Sequence, residues 1–264
     1  MAVKGLTRYQ RLFTNVANWQ EYVLHKNKRA KRPLSFTTRP FPITFQVPQS
    51  LYQVFKEVFM EDFYDIEHLV AKLPHNPVIV DVGANAGFFA ALLFSKMEKA
   101  RVFAYEPMPS NVLLFQQTMA ANPSMSTIEL HQVAVTGLPT GHIELFTTDT
   151  EDNTVVSSIF SNFNGLNNKK ISVAAQSLTD IIDEKGLEQI DLLKLDCEGS
   201  EYDILYNTDA AILQRVKMMV IEVHQIDEKR NNLKSLTNYL QSIGYTIRTL
   251  PVQEGSFYME AIRK

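Results

Sequence analysis

The sequence predicts an α/β fold, a mostly parallel sheet covered by helices, and three observations carry that prediction. From Pro77 onward, strand-like and helix-like segments alternate, which is the pattern of βαβ units. The segment "VIVDV" (78–82) is a continuous apolar run around one carboxylate, as expected of a strand buried on both faces. Asp81, Glu106, Asp196 and His224 fall at the ends of such strands, where open α/β sheets bind ligands.

Taken in order, residues 1–48 read as an N-terminal accessory segment and 49–264 as the main domain. The accessory segment holds an aromatic-bearing helical stretch, then "HKNKRAKRP", with five Lys/Arg between Lys26 and Arg32. That run reads as a solvated turn or as an anionic contact surface, the first being preferred because the acidic remainder offers no continuation of a basic patch. "ITFQVP" is a short strand. "SLYQVFKEVFMEDFYDIEHLVAKLP" carries Leu51, Val54, Phe55, Val58 and Phe59 at helical spacing, with Ser50 as its N-cap. "GFFAALLFSKM" is the helix after the first core strand, and "ARVFAYEP" is the second strand. "SNVLLFQQTMAAN" is a helix capped by Ser110, and "IELHQVAV" the third strand. The rhythm breaks at about 136–176, an insertion in which "GHIELFT" and "KISVAAQ" are strand pieces around a long polar stretch. "LTDIIDEKG" is a short helix with Thr179 near its start and Gly186 past its end. "IDLLKLD" and "VKMMVIEVH" are the fourth and fifth strands, each followed by a helix. "YTIRTLP" and "SFYMEAIRK" close the chain as two strands joined by a short turn, hence antiparallel.

Composition narrows the function classes. The chain has 264 residues, 45% apolar and 21% charged, with a net charge of −3. This balance gives no reason to expect nucleic acid or an anionic membrane as a partner. The single cysteine, Cys197, excludes an internal disulfide and a cysteine-rich zinc site. The longest apolar run, "AGFFAALLF", is about half of a membrane span, and the first residues lack the apolar core of a secretory signal. A soluble, cytoplasmic protein is expected; the oligomeric state is not legible.

The loop after the first core strand is the most informative stretch. Gly83, Asn85 and Gly87 follow the strand at once; glycine lets backbone approach a ligand closely, and Asn tolerates the left-handed conformation. Glu106 lies 19 residues after Gly87, close to the spacing of a carboxylate that accepts from ribose hydroxyls. The dinucleotide fingerprint needs a middle glycine for a pyrophosphate, and Asn85 stands there instead. The loop therefore suits a nucleoside cofactor without phosphate, one bringing an amino-acid tail and a sulfonium.

"VIVDVGANAGFFA", "FAYEPMPSNVLLFQQ", "HQVAV", "SLTDII" and "IDLLKLDCEGSEYDIL" occur in an order that resembles FkbM-type S-adenosylmethionine-dependent methyltransferases, over about residues 78–224. The resemblance implies a Rossmann-like class I methyltransferase fold, with a seven-stranded, mostly parallel sheet and an antiparallel last strand. It implies methyl transfer to oxygen, typically a hydroxyl on a sugar or secondary metabolite, so a small-molecule or glycan acceptor. By motif position, Gly83, Asn85 and Gly87 would border the methionine part of S-adenosyl-L-methionine, Glu106 the ribose and Ala134 the adenine. Cys197 stands where most relatives carry Val.

Candidates for chemistry lie in "KLDCEGSE" and "IEVHQ". Lys194, Asp196, Glu198 and Glu201 crowd one strand end, which calls for pairing or a cleft. Asp196 and Glu198 suit either the acceptor's proton or the cofactor's ammonium. Lys194 reads as an ion-pair partner or a catalytic group, and Glu201 as a favourable charge in a first helical turn. His224 has the pKa range of a base near neutral pH. Asp196, Glu198 and His224 are also a set that can hold Mg²⁺, a divalent metal being compatible but unsupported by ligand geometry. Asp81 can bind cofactor or accept from loop amides. Cys197, flanked by acids, should be a poor nucleophile. The rival readings are an NAD-dependent oxidoreductase on a similar sheet, which the G-x-N-x-G loop disfavours, and a nucleic-acid methyltransferase, which would need a basic stripe. A non-catalytic protein that keeps the fold for interaction is the third. Residues 1–48 and 147–170, with Asn153, Ser157, Ser158 and Asn162, are expected to cover the acceptor side.

Overall fold

The computed structural model describes residues 5–25, 32–147, 169–253 and 255–264. Helices α1 (Leu6–Asn15) and α2 (Gln20–His25) precede an antiparallel hairpin of β1 (Leu34–Thr37) and β2 (Thr44–Val47). Then come α3 (Tyr52–Lys56), a π-helical turn at Glu57–Glu61, and α4 (Ile66–Lys72). The main alternation follows as β3 (Val78–Val82), α5 (Phe88–Phe94), β4 (Arg101–Tyr105), α6 (Pro109–Ala121) and β5 (Ile128–His131). Strands β6 (Ala134–Thr136), β7 (His142–Thr147) and β8 (Lys169–Ser177) lead into α7 (Leu178–Glu184). The chain ends with β9 (Leu192–Leu195), α8 (Glu201–Asn207), α9 (Ala210–Leu213), β10 (Met218–His224), α10 (Leu233–Ser242), β11 (Tyr245–Gln253) and β12 (Ser256–Arg263).

Seven strands form the central sheet in the order β11-β12-β10-β9-β3-β4-β5. β12 runs antiparallel to both neighbours, and the remaining pairs are parallel. This is the expected mostly parallel α/β sheet, with the closing hairpin antiparallel as its short turn predicts. Strand order reverses between β3 and β9, where Asp81 pairs in register with Lys194. That reversal is where a crevice opens at the strand ends. The apolar strands are buried on both faces: Val80 and Val82 face one cluster with α7 and α8, and Ile79 faces the other with α5.

The expected third strand divides. β5 stays in the main sheet, while β6 leaves it to pair with β8 in a three-stranded sheet, β6-β8-β7. The strand pieces read on either side of the polar stretch are β7 and β8; Asn153, Ser157, Ser158 and Asn162 lie outside the described residues, as do Lys26–Lys31 of the basic run. Two caps also differ. Ser50 sits inside a short 3₁₀ turn, Gln49–Leu51, instead of capping a helix. Ser110 lies within the first turn of α6, because Pro109 opens that helix as its fixed φ permits. Among the described residues no helix is long and apolar enough to cross a membrane.

The segment read as one helix from Ser50 to Pro74 breaks twice. Its π turn leaves the Phe59 carbonyl to accept from Asn15 Nδ2 at 3.1 Å, and π turns commonly occur at functional sites. Asp62 and Asp65 then adopt positive φ, 50° and 51°. Asp62 is paired with Arg11 and its Oδ1 accepts from Ile66 N at 2.8 Å, which starts α4. Side-chain hydrogen bonds of this kind are why Asp breaks a helical pattern.

The N-terminal segment shares a core with the sheet. Phe36 stacks on Phe55 at 4.5 Å, Phe45 on Phe59 at 4.9 Å, and Phe45 meets Phe88 of α5 at 5.5 Å. Asn122, at the end of α6, pairs with both backbone groups of Thr44: its Oδ1 accepts at 2.8 Å and its Nδ2 donates at 2.7 Å. The hairpin is thereby docked as if to another strand. Phe59→Ala should cost about 3–5 kcal/mol in urea unfolding, as a single transition. A loss below about 1 kcal/mol, within the range of surface changes, would contradict the shared core.

Candidate active site

One cleft opens at the strand ends where the order reverses. Its walls include Gly83, Ala84 and Asn85 after β3, Glu106 and Met108 after β4, and Ala134 of β6. Lys194, Asp196, Cys197 and Glu198 of β9 and the loop after it complete the floor, with Glu222 of β10. Val54, Glu57, Val58 and Tyr64, from the helical stretch between the β1–β2 hairpin and β3, close another side, and no described residue of 1–48 lines the cleft. Ile143 and Leu145 of β7 also line it; of residues 147–170, expected on the acceptor side, 148–168 lie outside the described residues. Asp81, Gly87 and His224 do not line the space and act from behind it.

The loop glycines answer to the protein's own packing. Gly83 has φ +72°, and a Cβ there would stand 1.8 Å from the Asp196 carbonyl oxygen. Gly87 has φ +80°, and its Cβ would meet the Phe115 ring at 2.3 Å. Each lets two pieces of this chain approach, with ligand approach left to the backbone around Asn85. Asn85 takes the left-handed conformation at φ 50°, and its own Oδ1 accepts from Ala86 N at 2.7 Å. Glu106 fixes the loop from the neighbouring strand end. Its carboxylate accepts from Asn85 N and Met108 N, both at 2.9 Å, and from Asn111 Nδ2 at 3.4 Å. Burial pushes its pKa up against these hydrogen bonds.

Lys194 is the buried cation beneath this loop. Its Nζ lies 3.0 Å from Asp81 Oδ1 and 3.8 Å from Asp196 Oδ2, and donates to the Gly83 carbonyl at 2.6 Å. Burial alone would discharge it, but Asp81 and Asp196 hold the ammonium above its ordinary range. Asp81 therefore pairs with Lys194 and does not cap loop amides, and Lys194 positions the loop.

The other half of the cleft is acidic. Burial raises Asp196, but Lys194, the Tyr64 hydroxyl at 2.5 Å, a hydrogen bond with Glu222 and nearby His224 bring it below the ordinary carboxylate range. Glu198, held at φ 52°, is pushed up to about 8 by burial and by Asp196, Glu201 and Glu57, against the pull of His224. Glu222 stands well above the ordinary range through burial and Asp196; Ser256 Oγ donates to it at 2.6 Å. Glu57 is raised chiefly by burial. Among the described residues no group of three His, Cys, Asp or Glu is arranged to hold a metal ion. Cys197 is pushed far up by burial and flanking acids, consistent with an inert thiol.

His224 sits behind the cleft among three carboxylates. Its Nδ1 lies 3.1 Å from Glu201 Oε1, and its Nε2 lies 3.4 Å from Glu198 and 3.7 Å from Glu222. Burial would lower its pKa, but these carboxylates push it up to about 10. Three carboxylates around the ring favour its protonated form over the neutral form a base needs. Glu201 does more than balance a helix dipole: fully buried, it also accepts from Gly199 N at 2.8 Å and His224 N at 2.9 Å. Sequence reasoning missed Tyr64, Glu57 and Glu222 as members of the site. For Glu222 the signal was available, since it stands two residues before His224 on the same strand and so faces the same side. Tyr64 and Glu57 reach the cleft only through the helix breaks.

Lys194→Met should cost about 3–5 kcal/mol in denaturant unfolding, because it leaves Asp81 buried without its countercharge. The double variant Lys194→Met with Asp81→Leu should recover part of that loss; no recovery would contradict the pairing.

A family model described as "Methyltransferase FkbM domain" matches residues 81–247. Methyltransferase sdnD of Sordaria araneosa is 28% identical over 220 residues, covering 74% of this chain and 82% of that one. The 31-O-demethyl-FK506 methyltransferase FkbM of Streptomyces tacrolimicus is 26% identical over 227 residues, covering 74% and 81%. The 2-O-methyltransferase NoeI of Sinorhizobium fredii (strain NBRC 101917 / NGR234) is 29% identical over 141 residues, covering 49% and 56%. With the matched region spanning both the glycine loop and the acidic strand end, the chain belongs to the FkbM methyltransferase domain family.

Proposed function

We propose that this protein transfers a methyl group from S-adenosyl-L-methionine to a hydroxyl oxygen of a sugar or secondary-metabolite acceptor. The observation that carries the reading is the two-ended cleft: a buried carboxylate, Glu106, at one strand end, and ionisable acids at another, with the glycine loop between them. Two relatives whose names specify oxygen methylation support the acceptor atom.

The residues fit the cofactor. Ala134, Val135, Met108, Ile143 and Leu145 offer an apolar wall for a purine. Glu106 is placed to accept from ribose hydroxyls, and Asn85 and the Gly83 backbone to border the amino-acid tail. Bound S-adenosylmethionine supplies a methyl group on a sulfonium that leaves as a neutral thioether. Asp196, kept ionised, suits the cofactor's ammonium. Glu198, held near neutrality, suits the acceptor's proton, with His224 fixing its position from behind. Lys194 holds Gly83 and Asp196 in place and touches no reacting atom. Val54, Val58 and Tyr64 exclude water from the acceptor side, where alignment at about 3–3.5 Å does most of the work.

Formation of S-adenosylhomocysteine in the presence of hydroxylated acceptors tests the reading. Glu198→Gln should lower turnover by about 10²–10⁴-fold while S-adenosylhomocysteine still binds. Glu106→Ala should weaken that binding by about 1.5–3 kcal/mol. Unchanged turnover in the first would remove Glu198 as the base, and unchanged affinity in the second would remove the ribose contact.

A further inference from the structure

The net charge of −3, which gives no reason to expect an anionic partner, averages over an uneven chain. Residues 1–32 carry eight Lys/Arg against Glu21 alone, a net of +7, which leaves −10 for the rest. The helices at this end also reverse the usual arrangement, in which a surface helix buries its apolar stripe and shows its charges. In α1 the Arg8 side chain is 28% exposed and lies 3.3 Å from Glu61, and Arg11 is paired with Asp62. Leu6, 84% exposed, stands outward with Gln10 and Phe13, on one helical face. α2 repeats the arrangement: Gln20, Val23 and Leu24 are exposed, while Glu21 is drawn to Arg32 and His25. The Phe13 and Trp19 rings, 4.5 Å apart, join the two helices. From Gly5 to His25 every charged side chain is thus half-buried and paired, and the exposed residues are uncharged. Four of the six large apolar side chains exposed among the described residues lie here, Leu6, Phe13, Val23 and Leu24. Single apolar residues on a surface need no explanation, but such a concentration marks a contact face.

We propose that the outer face of α1 and α2 docks on an anionic lipid bilayer. Charge chooses that partner. The described chain leaves α2 at His25 and resumes at Arg32, and the residues between hold Lys26, Lys28, Arg29 and Lys31 with no acid. An apolar face and a basic run therefore adjoin in sequence. That pairing holds an interfacial segment on anionic lipid: apolar side chains enter the headgroup boundary, and basic ones are drawn by the negative surface potential. The rest of the chain, at −10, is repelled by the same surface, so the molecule approaches it through this end. A nucleic acid would be met by basic side chains presented outward, whereas Arg8 and Arg11 turn inward to Glu61 and Asp62. A second copy would set this surface against itself about a two-fold axis, bringing one positive segment onto another. The face also belongs to an element that supports the cleft. α1 is fastened to the π turn through Arg8 on Glu61 and Asn15 on the Phe59 carbonyl, and that turn carries Glu57 and Val58 into the cleft wall.

Flotation of the whole chain with vesicles of equal parts phosphatidylcholine and phosphatidylglycerol tests this, with pure phosphatidylcholine vesicles beside them. At about 0.1 M salt the protein should float with the anionic vesicles and stay behind with the neutral ones. Raising the salt to about 1 M, which cuts the screening length from about 10 Å to about 3 Å, should release most of it. Leu6→Glu and Leu24→Glu should each weaken partition about tenfold or more, the worth of burying one leucine side chain. Thermal unfolding of both variants should stay unchanged, because neither side chain is in the core. Absence of flotation with anionic vesicles would overturn the proposal, as would flotation of both variants equal to that of the unaltered chain. A dimer in analytical ultracentrifugation that Leu24→Glu splits would give the face to a second copy, and that too would overturn it.

Discussion

The site depends on one buried ammonium. Lys194 stands where β3 and β9 meet in register, and its Nζ reaches the Asp81 carboxylate, the Gly83 carbonyl and the edge of Asp196. A charge taken out of water is tolerated only when paired and hydrogen-bonded, so these partners are coupled. Asp81 must be a carboxylate, the loop must present its carbonyl downward, and Gly83 must lack a Cβ to let the Asp196 carbonyl pass. The same contact sets the electrostatic division of the cleft. Asp196, the cleft acid that Lys194 reaches, is drawn below the ordinary carboxylate range, whereas at Glu198 and Glu222 burial and neighbouring acids outweigh the pull of His224.

The second constraint is that one wall of the cleft comes from outside the family-matched region. Residues 81–247 match the family, yet Val54, Glu57, Val58 and Tyr64 all line the cleft. The hairpin and the helical stretch after it are fastened by the phenylalanine stack and by Asn122 on Thr44, and the π turn and paired aspartate break of that stretch aim Glu57 and Tyr64 inward. Tyr64 then ties this wall to the floor through Asp196 and packs its ring edge on Phe89 at 4.9 Å. That wall thus depends on how the stretch before β3 docks, while the opposite wall belongs to the loop and strand ends of the sheet.

Much of this was legible in the sequence because it is local. The parallel strands announced themselves as apolar runs, the closing hairpin by its short turn, and the left-handed turn by Asn85. Glu106 was found from its spacing, and its partner amides follow from the loop it faces. What stayed hidden depends on contacts distant in sequence. The division of "IELHQVAV" is decided by β8, about forty residues later, which captures Ala134–Thr136. The break after Glu61 is decided by Arg11 and by two aspartates that find better hydrogen bonds outside a helix. His224 looked like a base by type and position, but Glu198 and Glu201, brought from the loop after β9 and from α8, join Glu222 around its ring and favour the protonated form. The glycines were read as room for a ligand, and their immediate occupants are Asp196 and Phe115.

Thermal unfolding with S-adenosylhomocysteine, and with NAD in parallel, tests the central claim most directly, namely that this cleft is built for a sulfonium nucleoside. At 100 times its dissociation constant a ligand adds about 2.7 kcal/mol, a rise of roughly 5–10 °C for a chain of this size. The account predicts that rise with S-adenosylhomocysteine and none with NAD. A rise with NAD alone, or with neither, would contradict it.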